Sequence, residues 1–320
     1  MTEKKTAKTA FIYITALIGA GFATGKELCV YFFSKSVISG ICGVLISALL
    51  FGISAYKTLL ISKEYRIKSY KGLLYFLFGR PLGNGIYFFS ELFFIVIFSS
   101  MSAAFGELCG ILGLMRPAGS LIFCLLCAFI LHFGTKGLSF ISCILCPVMV
   151  TGCYVIGIKY FPKNIFDGAN FDIACIPNAL IYTSYNILTA SAVLFCCQDL
   201  GKKQIKTASA IIFIIVLTAS ISLGCAVVGC KAVLPVYSLI KGSRIFTLIY
   251  CIILFCALLT TALSNAVCLK AAVPVPLICA LGFCLSLVGF SGIVSKIYFL
   301  FGIIGSGLLA GILFCPLKKD

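Results

Sequence analysis

The property that most restricts what this chain can fold into is the length of its apolar runs, which extend over 17 to 29 residues and are joined by short connections that carry most of the charge. A helix of about 20 residues spans the ~30 Å hydrocarbon core of a bilayer, and only helices or closed barrels satisfy their backbone groups there. The runs lack the ten-residue alternation of a membrane barrel. An all-α integral membrane protein is therefore expected. With 62% hydrophobic and 11% charged residues in 320 positions, no room is left for a water-soluble domain.

Ten spans are placed near 9–33, 37–60, 86–114, 118–134, 137–160, 175–198, 207–230, 244–269, 276–293 and 294–315, the last two separated by little more than "GFSGIVSK". The net charge of +16 does not point to nucleic acid, because the bases are scattered through loops rather than gathered on one face. They act as topology signals: with the N-terminus inside, sixteen bases fall in cytoplasmic segments and eight outside, so both termini are expected in the cytoplasm of a bacterial cell, with the chain multi-pass in its inner membrane. The start "MTEKKTAKTA" is short and basic, and no small-residue cleavage site follows it, so the run from Phe11 is read as a retained span. The segment from Ser69 to Gly79, with bases and aromatics around a short apolar run, suits the inner interface.

The spans divide into two fives whose starts are offset by 157 to 170 residues, each half with a longer polar connection between its second and third span. An odd number of spans per half inverts one half relative to the other. Residues 1–320 are thus expected to form a single domain made of inverted repeats at about 9–160 and 175–315.

Within the first span, "TALIGAGFATGKELCVYFF" brings Gly19, Gly21 and Gly25 into seven residues and follows them with Lys26 and Glu27. Glycine costs ~1 kcal/mol relative to alanine in a helix interior, so three of them favour a local unwinding. Unwound backbone is tolerated at membrane depth only where it faces protein, water, ion or solute. Close helix packing through Gly21 and Gly25 is the plainer alternative, and the mid-span "TGKE" weighs against it.

The stretch "GAGFATGKE", followed by the apolar "LCVYFF", resembles the signature of the YkvI-like family of bacterial membrane proteins. That family is itself similar to amino-acid and cation symporters of the LeuT-like fold, with five-plus-five inverted repeats and a broken first helix. The resemblance implies that Gly19-Ala20-Gly21 is the G-x-G at the break of the substrate site, that the amides of Ala20, Gly21 and Phe22 face a substrate carboxylate, and that the carbonyls of Thr15 and Ile18 face a cation. In the eighth span Thr260, Thr261 and Ser264 share helical faces at i, i+3 and i, i+4 and would complete a sodium site; alternatively these hydroxyls bond their own preceding carbonyls. The sixth span departs from the fold's usual pattern, with no Gly or Pro between Asn178 and Leu200. Its "YTSYN" offers Tyr182, Ser184 and Asn186 as an opposing substrate wall on a helix that is either broken or continuous.

Ionisable groups inside a bilayer cost ~2.5–3.5 kcal/mol or more at mid-depth, which singles out Lys26, Glu27, Glu91 and Glu107 for gating or coupling, with Lys26 and Glu107 as an outer pair. His132 ends the short fourth span and reads as interfacial. The spacing Cys124-x-x-Cys127 with Cys143-x-x-Cys146 imitates a zinc site, but it lies in apolar spans among nineteen cysteines, so small apolar filler is expected and no metal beyond Na⁺. No phosphate-binding loop and no catalytic constellation is present, so an enzyme is not expected. The expected function is secondary active transport of a small amino-acid-like solute with Na⁺ or H⁺ and no cofactor. The alternative is a receptor on the same scaffold that binds solute without moving it, like the permease-like subunits of germination receptors.

Overall fold

The protein is described by a computed structural model over residues 2–111, 113–163, 170–197, 200–232, 234–270, 272–287 and 290–317, with the side chains of residues 2, 111 and 290–299 outside the description. The first span is three helices: α1 (Thr2–Leu17), the single turn α2 (Ala20–Ala23) and α3 (Lys26–Tyr31). There follow α4 (Val37–Glu64), α5 (Tyr70–Ile111), α6 (Arg116–His132), α7 (Gly134–Lys159), α8 (Cys175–Leu194), α9 (Lys202–Ala226), the short α10 (Pro235–Ile240), α11 (Arg244–Leu269), α12 (Val275–Ser286) and α13 (Phe290–Phe314). Helices α4, α5, α7, α9 and α11 are each long and apolar enough to cross a bilayer, and α6 and α12 are shorter apolar helices. The junction expected at 293/294 falls inside α13, which already begins at Phe290; α12 ends at Ser286, and Val288 and Gly289 lie outside the described residues.

Packing pairs correspond between the two halves. Helix α1 lies on α7 as α8 lies on α13, α4 lies on α8 as α9 lies on α1, and α4·α9 and α5·α11 pair with their own counterparts. This exchange is what the five-plus-five inverted arrangement requires, and it puts α1, α8 and α11 in mutual contact at the centre. The outer surface is apolar: Phe129, Phe140, Ile158 and Ile245 are 66–72% exposed, a lipid-facing pattern.

The 69–79 segment, read as interfacial, is a helix from Tyr70 that meets the helix of the third span across a kink at Gly79, where φ is 74° and ψ 173°, outside the reach of most side chains; the two together make α5. One local feature differs from the sequence reading. The connection after α9, read as polar loop, folds inward. The Gly229 N–H donates to the Phe33 carbonyl (2.9 Å), Val236 N–H to the Thr24 carbonyl (3.0 Å) and the Cys29 thiol to the Val227 carbonyl (3.1 Å), so this segment clamps the second half of the broken helix.

Three lysines read from the sequence as topology signals also make structural hydrogen bonds. Lys57 Nζ donates to the carbonyls of Leu313 and Cys315 and Lys270 to Leu131, carbonyls at the C-terminal ends of α13 and α6, and Lys63 donates to Leu200 just before α9. Charge-assisted bonds of this kind contribute about 1.5–3 kcal/mol. Lys57→Met is therefore expected to lower the unfolding midpoint of the purified protein by an amount equivalent to about 1–3 kcal/mol, whereas the same change at Lys68, which donates none of these bonds, is expected to leave it within ~0.5 kcal/mol.

Candidate functional site

The centre of the molecule is the gap between α1 and α3. The regular ladder ends where Ile18 N–H donates to Ile14 (2.8 Å), and Gly19 N–H turns to the Leu17 carbonyl (3.1 Å) instead of reaching Thr15. Among the described residues no backbone N–H donates to the carbonyls of Thr15, Ala16 or Ile18, and no backbone carbonyl accepts from Ala20, Gly21 or Phe22. The break expected between Ile18 and Lys26 is thus present, and it frees acceptors at the end of α1 and donors at the start of α2. Unpaired backbone groups in a low-dielectric interior cost several kcal/mol each, so the gap is a demand for partners.

Each glycine here has a distinct reason. Gly25 has φ 77°, and a Cβ there would also press on Val236 at 3.0 Å and Val227 at 3.2 Å. Gly19 is extended, and its missing Cβ lets the chain lie against α11, since an added methyl would stand 3.2 Å from Thr261 Oγ1. Gly21 is needed by a side chain: the Glu27 carboxylate folds back over its Cα, into the space that a Cβ would take.

A cavity of about 30 Å³ opens at the gap. The broken helix contributes Gly19, Ala20, Gly21 and Glu27, and three helices supply the remaining walls as stripes at helical spacing. On α8 these are Tyr185, Asn186 and Thr189; on α11, Thr261 and Asn265; on α5, Phe93, Ile97 and Met101. The polar side chains are fixed by one another: Thr189 Oγ1 donates to Asn265 Oδ1 (2.8 Å), Asn265 Nδ2 to the Thr261 carbonyl (2.8 Å) and Asn186 Nδ2 to the Tyr182 carbonyl (3.0 Å). The space holds about two waters. It lies far below the ~300–1,000 Å³ of a ligand pocket, so this conformation is closed around the site.

The three hydroxyls expected on the eighth span separate sharply. Thr260 Oγ1 bonds the carbonyls of Cys256 (2.8 Å) and Ala257 (3.3 Å) and faces Met149 of α7, the back-bonded arrangement weighed against an ion role. Thr261 Oγ1 and Ser264 Oγ are buried with no hydrogen-bond partner among the described residues. At the end of α1, the Thr15 hydroxyl is taken up by Ser142 Oγ (3.0 Å) and the Ile12 carbonyl (3.0 Å), which leaves its carbonyl as the group available at the gap.

On the sixth span, α8 runs unbroken through Tyr182–Asn186, so the interruption that this fold usually has is absent there. Tyr182, Tyr185, Asn186 and Thr189 form one face at i, i+3, i+4 and i+7. Ser184 lies off it, and its carbonyl meets Gly305 of α13 rather than the cavity. Tyr182 sits above the cavity, with ring centroids 5.5 Å from Tyr31, 5.6 Å from Tyr185 and 5.0 Å from Phe32. Phe22 is buried in the core. Tyr185 lay within the "YTSYN" wall; Thr189 and the α5 stripe were not singled out from sequence, although extending the face of Asn186 by one turn reaches Thr189.

The outer pair expected between Lys26 and Glu107 is not formed. Both residues are exposed, and the one ion pair among the described residues is Lys35–Asp172, at 3.1 Å. Successive helical positions point about 100° apart, so Lys26 turns outward where Glu27 turns in. Glu91 lies outside the cavity, one turn from Tyr87 on α5, and one of its oxygens is buried. Outside the membrane, Asp172 is held below the usual carboxylate range by the Ala174 N–H and by Lys35. Its tie from the segment before α8 to Lys35 is thus present above the ordinary aspartate range and lost as pH falls through the native value.

No family model matches the chain. It is 26% identical over 333 residues to "Uncharacterized membrane protein YkvI" of Bacillus subtilis (strain 168), an alignment covering 96% of this chain and 95% of that protein. It is 23% identical over 342 residues to "Uncharacterized protein YyaD" of the same organism, covering 97% and 96%. Among solved structures it is similar to a Na⁺-coupled sialic acid symporter in a substrate-bound outward-open state, with TM-score 0.65 and 13% identity over 96% of this chain and 78% of that one. It is also similar to a nucleobase-cation-symport-1 family transporter in a closed conformation with bromovinylhydantoin bound, with TM-score 0.59 and 13% identity over 98% and 72%.

Proposed function

We propose that this relative of YkvI, a membrane protein of the LeuT-like fold, is a secondary active transporter that couples movement of a small amino-acid-like solute to Na⁺ or H⁺. The observation that carries the reading is the pairing of free backbone groups at the break with the buried hydroxyl of Thr261 beside Gly19, and with that of Ser264 three residues further along α11, neither of which has a hydrogen-bond partner among the described residues. A hydroxyl pair and carbonyl oxygens are hard, neutral ligands of the kind an alkali cation takes. The amides of Ala20 and Gly21 would then face the solute. Residues 1–320 act as one transporter domain with repeats at about 9–160 and 175–315, placed with both termini in the cytoplasm.

Purified protein in liposomes is expected to accumulate a labelled solute above equilibrium under an inward Na⁺ gradient or an inward proton gradient, and not without one. Candidate solutes are chosen beforehand by thermal shift, where a ligand at ~100 times its dissociation constant adds ~2.7 kcal/mol. Saturable binding with no accumulation under either gradient would replace transport by the receptor reading.

A further inference from the structure

We propose that Glu27 and the tyrosines beside it receive a positively charged nitrogen of the solute, so that the site takes ammonium-bearing molecules, cationic or zwitterionic, and rejects simple anions. This rests on the reading of the α1–α3 gap as the solute site, and narrows the class of solute.

The charge balance comes first. Glu27 lines the cavity, and the other polar residues on its walls are uncharged. From α11 it meets Thr261 and Asn265; from α5, apolar side chains; from α8, Tyr185, whose ring shares the cavity wall with it. Its own helix brings Tyr31 close and turns Lys26 away to the surface. Among the described residues the only ion pair lies elsewhere, at Lys35–Asp172. A carboxylate at membrane depth with no basic neighbour is costly, and a bound cation offsets that cost.

The second observation is aromatic. Tyr31, Tyr182 and Tyr185 form a triangle with centroid separations of 5.5, 5.6 and 5.9 Å, closed on one side by Phe32. Their ring faces carry negative quadrupole potential and attract ammonium groups, more strongly where water is excluded. Carboxylate and triangle meet at Tyr185, which belongs to both. A small anion would meet Glu27 as a like charge, whereas a zwitterion could place its carboxylate at the free amides of Ala20 and Gly21 and its nitrogen at Glu27.

The test uses the purified full-length protein at fixed pH and Na⁺, with choline, β-alanine and propionate as cation, zwitterion and anion of similar size. Choline or β-alanine is expected to raise the unfolding midpoint saturably, and propionate is not. Glu27→Gln should weaken that binding at least 30-fold while leaving the ligand-free midpoint unchanged or higher, because it removes a charge without a partner. Tyr31→Leu, which spares the carboxylate and serves if Glu27→Gln does not fold, should weaken it about 3- to 30-fold. Stabilisation by propionate alone, no response to either ammonium probe, or equal affinity in wild type and both variants would overturn the proposal. If Na⁺ or pH acts through Glu27 while ammonium probes do nothing, the carboxylate serves the coupling ion and the transporter reading survives. If choline or β-alanine binds through Glu27 but never accumulates in vesicles, the transporter reading fails instead.

Discussion

Gly21→Leu is expected to weaken solute binding by more than 100-fold while leaving expression and membrane insertion intact. The Glu27 carboxylate lies where a Cβ at position 21 would stand, and the atoms in the way are the outer atoms of a flexible side chain rather than backbone. A leucine can therefore be accommodated by expelling Glu27 and filling a cavity of about 30 Å³, without unfolding α2. A hundredfold loss corresponds to about 2.7 kcal/mol, well within what a filled site costs. Thermal shift against the wild type's best solute measures it. Gly21→Ala offers a graded control, since one methyl already displaces the carboxylate but occupies little of the cavity. Wild-type affinity in both variants would mean that Gly21 serves packing alone.

The double change Thr261→Val and Ser264→Ala should abolish sodium dependence with the fold retained. It removes two buried oxygens that have no partner among the described residues, and a buried hydroxyl without a partner contributes nothing to stability by hydrogen bonding. The variant should thus be at least as stable as wild type in sodium-free buffer. In sodium, solute affinity should fall toward the sodium-free value, by ~5- to 150-fold if the coupling lies in the usual 1–3 kcal/mol range. Thr260→Val is the contrasting variant, because its hydroxyl is already bonded to Cys256, and it should keep the full sodium response. Solute binding across a sodium titration distinguishes the three proteins. Identical curves in wild type and double variant would place the cation elsewhere, and response to pH in place of sodium would make the proton the coupling ion.

Legibility from the sequence was uneven for physical reasons. The interruption of the first span could be read directly, because three glycines and a Lys–Glu pair within nine residues of an apolar run oppose continuous helix whatever surrounds them. Which hydroxyl of "TTALSN" is free could not be read. Thr260 and Thr261 differ only in rotation about α11, and that rotation is set by Met149 and by the fit of Ile253 onto Gly152 of α7. Ser184 misled similarly: it is as polar as its neighbours, but its backbone is pinned against Gly305 of α13. The pair Lys26–Glu107 was proposed from depth alone, and depth does not specify azimuth.

By itself the sequence determined that this chain is a bundle of membrane helices with inverted halves and an opened first helix, because hydrophobic length, loop charge and glycine content act locally and survive any packing. The tertiary structure alone decided that Glu27 rather than Lys26 enters the centre, that Thr261 and Ser264 remain unpartnered, that α8 stays continuous and that the segment before α11 closes over the break. Those outcomes depend on the rotation and register of each helix, which small residues set by letting one particular pair of backbones approach, and no single segment encodes which partner it will meet.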